Sequence, residues 1–166
     1  MDGPSLMRKV AAGFEKSDLG PLFAAIHNEI VWKSANRLDG LFRFSGEYKT
    51  RPSVIEVLTD IFLYYRFHRF EPKEIISSGD VVWGQFDVVL TFEPKGSGIV
   101  SKHLDLEMAI RWRLKDGKII EHQSFFDTAS LYIQQVELAR PVRLTGCAVD
   151  GPPESRQPDL FRHLSK

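Results

Sequence analysis

Few residues in this 166-residue chain have the types and spacing to do chemistry, and most of them sit on segments that alternate polar and apolar. Gln85 and Asp87 are two apart on one such segment. His103, Asp105, Glu107 and Arg111 follow the same alternation on the next. Asp127 stands directly before the helical run Thr128–Leu138, where an aspartate fits the N-cap role. His103-x-Asp105 with His122 contains the ligand types of a facial metal triad. The spacing is short for such a site, and charged neighbours on an exposed strand account for it, so no metal is expected. His122 reads as a surface or core histidine. Strict alternation sets it opposite Asp127, and a bulge would turn it inward. A dense aromatic group, Phe62, Tyr64, Tyr65, Phe67 and Phe70, adds apolar walls to Trp32, Phe44 and Tyr48. Such walls with a few polar groups suit a hydrophobic small molecule. Phosphate-cradling loops, a Ser or Cys nucleophile with its partners, and dinucleotide glycines are absent, and Gly96-Ser97-Gly98 reads as a turn.

The elements that must position these groups follow from periodicity. Residues 5–16 and 18–27 predict two short helices, with Leu6, Val10 and Phe14 forming one apolar stripe. Asp18 suits the N-cap of the second, and Pro21 its first turn. Ile30-Val31-Trp32 is a short β-type run, and 34–50 reads as loop. Arg51-Pro52 opens a helix to about Tyr65, since a proline's missing N–H is harmless in the first turn. From Phe67 the period becomes two, and Glu74–Ser78, Val81–Phe92, Val100–Leu114 and Lys118–Phe126 predict four strands. Asp116-Gly117 marks a tight hairpin because it accepts positive φ. Helices followed by an antiparallel meander predict an α+β domain over 1–139. Residues 140–166 hold four of the nine prolines and read as an extension, with Leu160, Phe161 and Leu164 as a candidate docking turn. A mobile tail and a docked one both fit.

Bulk composition removes several function classes. Lys plus Arg and Asp plus Glu both number 22, so the formal net charge is zero. No nucleic-acid or membrane partner is expected, because those surfaces need a basic excess. Cys147 is the only cysteine, which excludes an intrachain disulfide. No signal peptide is read in Met1–Val10 and no run suffices to span a bilayer, so a cytoplasmic location is the expectation.

Alternation divides the strands into two faces. Val82, Phe86, Val88, Leu90, Leu104, Leu106, Met108, Ile110, Trp112 and Leu114 form one. Trp83, Gln85, Asp87, His103, Asp105, Glu107 and Arg111 belong to the other. The pattern alone puts the apolar face in the core and the polar face in water.

The order of elements, with Gly46-Glu47-Tyr48-Lys49-Thr50-Arg51-Pro52-Ser53-Val54-Ile55, Lys115-Asp116-Gly117-Lys118-Ile119-Ile120 and Phe125-Phe126-Asp127, resembles the NTF2-like, SnoaL-like proteins. Limonene-epoxide hydrolases, polyketide cyclases and ketosteroid isomerases are among them. The resemblance covers about residues 5–138 and implies a cone-shaped, curved antiparallel sheet wrapped around the N-terminal helices. It also implies a pocket on the concave face and a homodimer through the convex one. It reverses the two faces: Leu104, Leu106, Met108, Ile110 and Trp112 become the dimer surface, and Gln85, Asp87, Glu107 and Arg111 turn to the pocket.

The same resemblance implies roles. Asp127 and Asp87 become the acid and base, oriented by Gln85, which stands where the hydrolases have arginine. Without that cation two carboxylates in one pocket share a proton. Trp32, Ser34, Tyr48, Phe62, Tyr65, Glu107, Arg111 and His122 are the expected substrate contacts. The ketosteroid isomerase groups are missing: their positions hold Ser34, Ala109 and Val10. The implied function is cofactor-independent acid/base chemistry on an apolar small molecule, with a non-catalytic ligand-binding or dimerisation module as the alternative.

Overall fold

The computed structural model describes residues 1–35, 42–93 and 102–139. The candidate docking turn, the 94–98 turn and the extension over 140–166 lie outside those residues. Four helices and six strands run in the order α1 (Gly3–Glu15), α2 (Gly20–Ala25), β1 (Ile26–Ser34), β2 (Gly46–Tyr48), α3 (Arg51–Tyr64), β3 (Tyr65–Ser78), β4 (Val81–Phe92), β5 (Lys102–Lys115), β6 (Lys118–Phe126) and α4 (Thr128–Ala139). The helix starts follow their capping chemistry. Thr50 and Ser53 form a reciprocal capping box at α3, with Pro52 in the first turn. Asp18 Oδ1 accepts from the Gly20 N–H at 2.8 Å and stabilises the entry to α2.

The strands form one unclosed curved sheet, ordered β2-β1-β6-β5-β4-β3. All neighbours are antiparallel except β1 and β6, which run parallel. The β3–β6 meander is antiparallel throughout, as expected, and β1 joins it beside β6 in parallel. β3 starts at Tyr65 rather than Glu74 because it absorbs two register shifts, at Phe67/Arg69 and Pro72/Glu74. These hide its alternation in the sequence, and its place at the sheet edge tolerates Pro72. Asp116 and Gly117 both have positive φ, as a tight hairpin requires.

The core fills the concave side. Met7, Val10 and Ala11 of α1, Leu22 of α2, and Val54 and Leu58 of α3 pack over Val82, Phe86, Val88, Leu104, Ile110 and Trp112. The helices have apolar stripes that only the apolar face of the sheet can cover. Gly84 serves this packing, since a Cβ there would lie 2.6 Å from Met7 Sδ and 2.6 Å from the Phe86 ring. The face implied by the resemblance is therefore corrected. Ile110, only 7% exposed, and Trp112, 2% exposed, belong to the interior and not to a dimer surface.

Helix α4 closes one end of the sheet. Its Gln134 amide accepts from the Asp105 N–H and donates to the Asp105 carbonyl, both at 3.2 Å. β6 ends opposite Met108, so Asp105 lacks a strand partner on that side, and the side-chain amide takes the strand's place. Leu131 of α4 turns inward and is 3% exposed. No helix among the described residues is long and apolar enough to cross a membrane.

Candidate ligand-binding site

Between the helices and the concave sheet face lies a cavity of about 100 Å³. This is the order of the roughly 150 Å³ apolar cavity that admits benzene. Among the described residues no Asp, Glu, Lys or Arg lines it. Met7, Val10 and Phe14 come from α1, Leu58 and Ile61 from α3, and Phe86, Val88, Leu106 and Met108 from the sheet.

The polar groups gather at one side, on β1, β6 and β5. The register sets Trp32 beside His122 and His122 beside Trp112, and sets Ser34 beside Ser124 one step along. The Trp32 and His122 rings stack at 3.4 Å with an interplanar angle of 3°. Trp112 Nε1–H donates to His122 Nδ1 at 3.0 Å. Ser124 Oγ donates to Ser34 Oγ at 2.9 Å. Burial pushes the His122 pKa down to about 3, so the ring is neutral in the physiological range. At the α4 end, Gln135 Nε2 donates to the Tyr65 hydroxyl oxygen at 2.9 Å. Burial pushes the Tyr65 phenol up to about 12, partly offset by that hydrogen bond, and the phenol stays protonated.

Of the residues expected to contact a ligand, Trp32, Ser34, Tyr65 and His122 line this cavity. The others lie elsewhere. Asp87 is on the outer face, where Lys73 Nζ reaches its Oδ2 at 2.6 Å. The Lys73 pKa rises because its ammonium donates to that carboxylate. Gln85 and Glu107 are exposed on the same outer face, and Arg111 bonds Glu121 there at 3.0 Å. Asp127 is exposed and caps α4, accepting from the Ser130 N–H at 3.0 Å. The expected pairing of Asp127, Asp87 and Gln85 in one pocket is thus corrected, since alternation gives the concave side to the apolar set. Phe62 packs on Phe14 and Phe67 without lining the cavity. Tyr48 lines a surface groove with Arg43, Glu56 and Asp60. His103 stands 5.0 Å from the His68 ring, on the opposite face from His122, and the described residues hold no metal-binding cluster.

Ser124 and Trp112 also line the cavity and were not among the contacts expected from the sequence. A register shift between Arg113 and Leu114 moves the partner of Trp112 from Glu121 to His122. It turns His122, Ser124 and Phe126 to the concave side together, and Asp-Gly hairpin chemistry alone gives no sign of it.

No family model and no curated protein matches this sequence. Solved structures do match its fold. A "putative isomerase" from Rhodopseudomonas palustris is 20% identical, with a TM-score of 0.66 over 80% of this chain and 93% of that one. An NTF2-like protein of unknown function from Burkholderia pseudomallei is 18% identical, with a TM-score of 0.64 over 82% and 96%. A "putative polyketide cyclase" from Pseudomonas putida is 13% identical, with a TM-score of 0.64 over 81% and 98%. With its helices packed into the concavity of a six-stranded curved sheet, this chain has the NTF2-like fold.

Proposed function

We propose that the protein binds an uncharged, apolar small molecule inside the sheet's concavity. The observation that carries this reading is a cavity without an ionised side chain among the described residues, walled by aromatic and aliphatic groups. Similarity to proteins described as a putative isomerase and putative polyketide cyclases is in keeping with a small-molecule ligand. Catalysis is the second reading, and one observation favours it. His122 is a neutral imidazole in an apolar site, a group that polarises a carbonyl without protonating it. The proton-removing half of acid/base chemistry has no carboxylate candidate among the described cavity residues, so binding is the leading reading.

Ethylbenzene is a suitable probe. At ten times its Kd a ligand adds about 1.4 kcal/mol of stability, worth roughly 3–6 °C in Tm for a chain of this size. The methyl signals of Met7 and Met108, which line the cavity, should move on titration, while that of exposed Met1 should not. An unchanged Tm with both cavity methyl signals fixed would refute the proposal.

A homodimer through the convex face is proposed alongside. There Trp83 and Phe125, 38% and 42% exposed, stack with their rings 5.7 Å apart. Exposed aromatics of this kind are enriched in interfaces. Sedimentation at micromolar concentration should give twice the mass of the chain, and Trp83→Glu should halve it. A monomeric unmodified protein overturns the dimer.

A further inference from the structure

We infer that the ligand carries an acceptor oxygen, a ketone-type carbonyl, which His122 recognises by donating from Nε2, with the Ser34–Ser124 hydroxyl pair as a second donor beside it. This rests on the cavity being the ligand site.

The hydrogen-bond partner of His122 fixes its tautomer. An indole N–H can only donate. Trp112 Nε1 lies 3.0 Å from His122 Nδ1, so Nδ1 must present a lone pair. The hydrogen of the neutral ring is then on Nε2. Trp32, stacked flat on the opposite strand, holds the ring against rotation. Nε2 makes no hydrogen bond to a described residue, yet no sealed polar side-chain atom among those residues lacks a partner. Nε2 is therefore open to the cavity that His122 lines.

The neighbouring hydroxyls point to the same ligand chemistry. Ser124 and Ser34 share one hydrogen bond between their hydroxyls, which leaves one of the two hydroxyl hydrogens uncommitted. Ser34 and Ser124 sit one inward-facing step along from Trp32 and His122, about 7 Å for two strand residues. The polar side of the cavity is thus made of neutral donors. A carboxylate ligand would lose its hydration and meet no cation, and an ammonium would meet no carboxylate, among the described residues. A carbonyl needs only the donors.

The test compares acetophenone with ethylbenzene, which matches it in size but lacks the oxygen. Binding is read from the Met7 and Met108 methyl signals. Acetophenone should bind about threefold to tenfold more tightly, the worth of one net hydrogen bond. His122→Leu should erase that preference, read within the variant as the ratio of its two affinities. Because the variant could lose its fold, the nitrogen-15 spectrum of the unmodified protein gives a second reading: Nε2 should carry the hydrogen, and its signal should shift with acetophenone alone. Equal affinities in the unmodified protein, or a hydrogen on Nδ1, overturn the inference while leaving the apolar cavity reading intact. Failure of both probes to move the cavity methyl signals overturns both readings.

Discussion

Ile110→Asp is expected to unfold the protein or leave it marginally folded. Ile110 is 7% exposed, lines the cavity, and lies between Gly84 and Ser124 in the sheet. An aspartate there loses the burial of the isoleucine and either holds an unpaired charge in apolar surroundings or takes up a proton to avoid it. The combined cost is about 4 kcal/mol or more, against total stabilities of about 5–15 kcal/mol for domains. Gln85→Asp, one position beyond Gly84 on β4 and on the other face, should stay within about 1 kcal/mol because Gln85 is exposed. Urea denaturation of both variants separates the faces. If Ile110→Asp instead gives a stable, folded monomer from a dimeric parent, the apolar face is an interface and the cavity assignment fails.

That face assignment is also where sequence and structure part. The elements themselves were legible. Val81–Phe92 and Lys118–Phe126 match in both bounds because strong alternation and marked turns frame them. The helix from Arg51 was announced by its proline, and the Thr50–Ser53 capping box came to light only in the structure. Simple alternation also placed the apolar set in the core, as found. The resemblance then reversed it by giving the carboxylates a pocket. The helices decide the matter: the stripe of Leu6, Val10 and Phe14 needs an apolar partner, and the concave face is the surface it packs on. Of the expected ligand contacts, Trp32, Ser34, Tyr65 and His122 do line the cavity. Ser124 was not among them, since one register shift decides which β6 residues turn inward, and Trp112 was not because the resemblance put it on the dimer surface. Asp127 behaves as its position before a helix implied, as a cap.

Stability should fall with acidity through His122. Its pKa is about 3 in the folded protein because burial disfavours the charged ring, against about 6.5 when unfolded. The unfolded chain therefore binds the proton first. The contribution of this residue is fully present above pH 6.5 and is lost progressively as pH falls toward 3. Each unit is worth about 1.4 kcal/mol, so by pH 4.5 the loss is about 3 kcal/mol and by pH 3 about 5 kcal/mol. Other groups also titrate over this range, so the readout is a difference. His122→Gln keeps an acceptor for the Trp112 N–H and cannot be protonated. The stability gap between the unmodified protein and this variant should shrink, or reverse, by about 3 kcal/mol between pH 7 and 4.5, measured by urea denaturation. A gap that does not change with pH would mean that His122 takes up its proton without leaving its place, which contradicts a dry, neutral ring.

A neutral ligand is expected on the concave side, against the apolar face and beside His122. A crystal structure with 4-bromoacetophenone, its bromine located by anomalous scattering, tests it most directly. Bromine is expected between α1 and the Phe86–Met108 side of the sheet, with the carbonyl oxygen within hydrogen-bonding distance of His122 Nε2. Bromine on the outer face near Asp87 or Lys73, or beside Asp127, would contradict it.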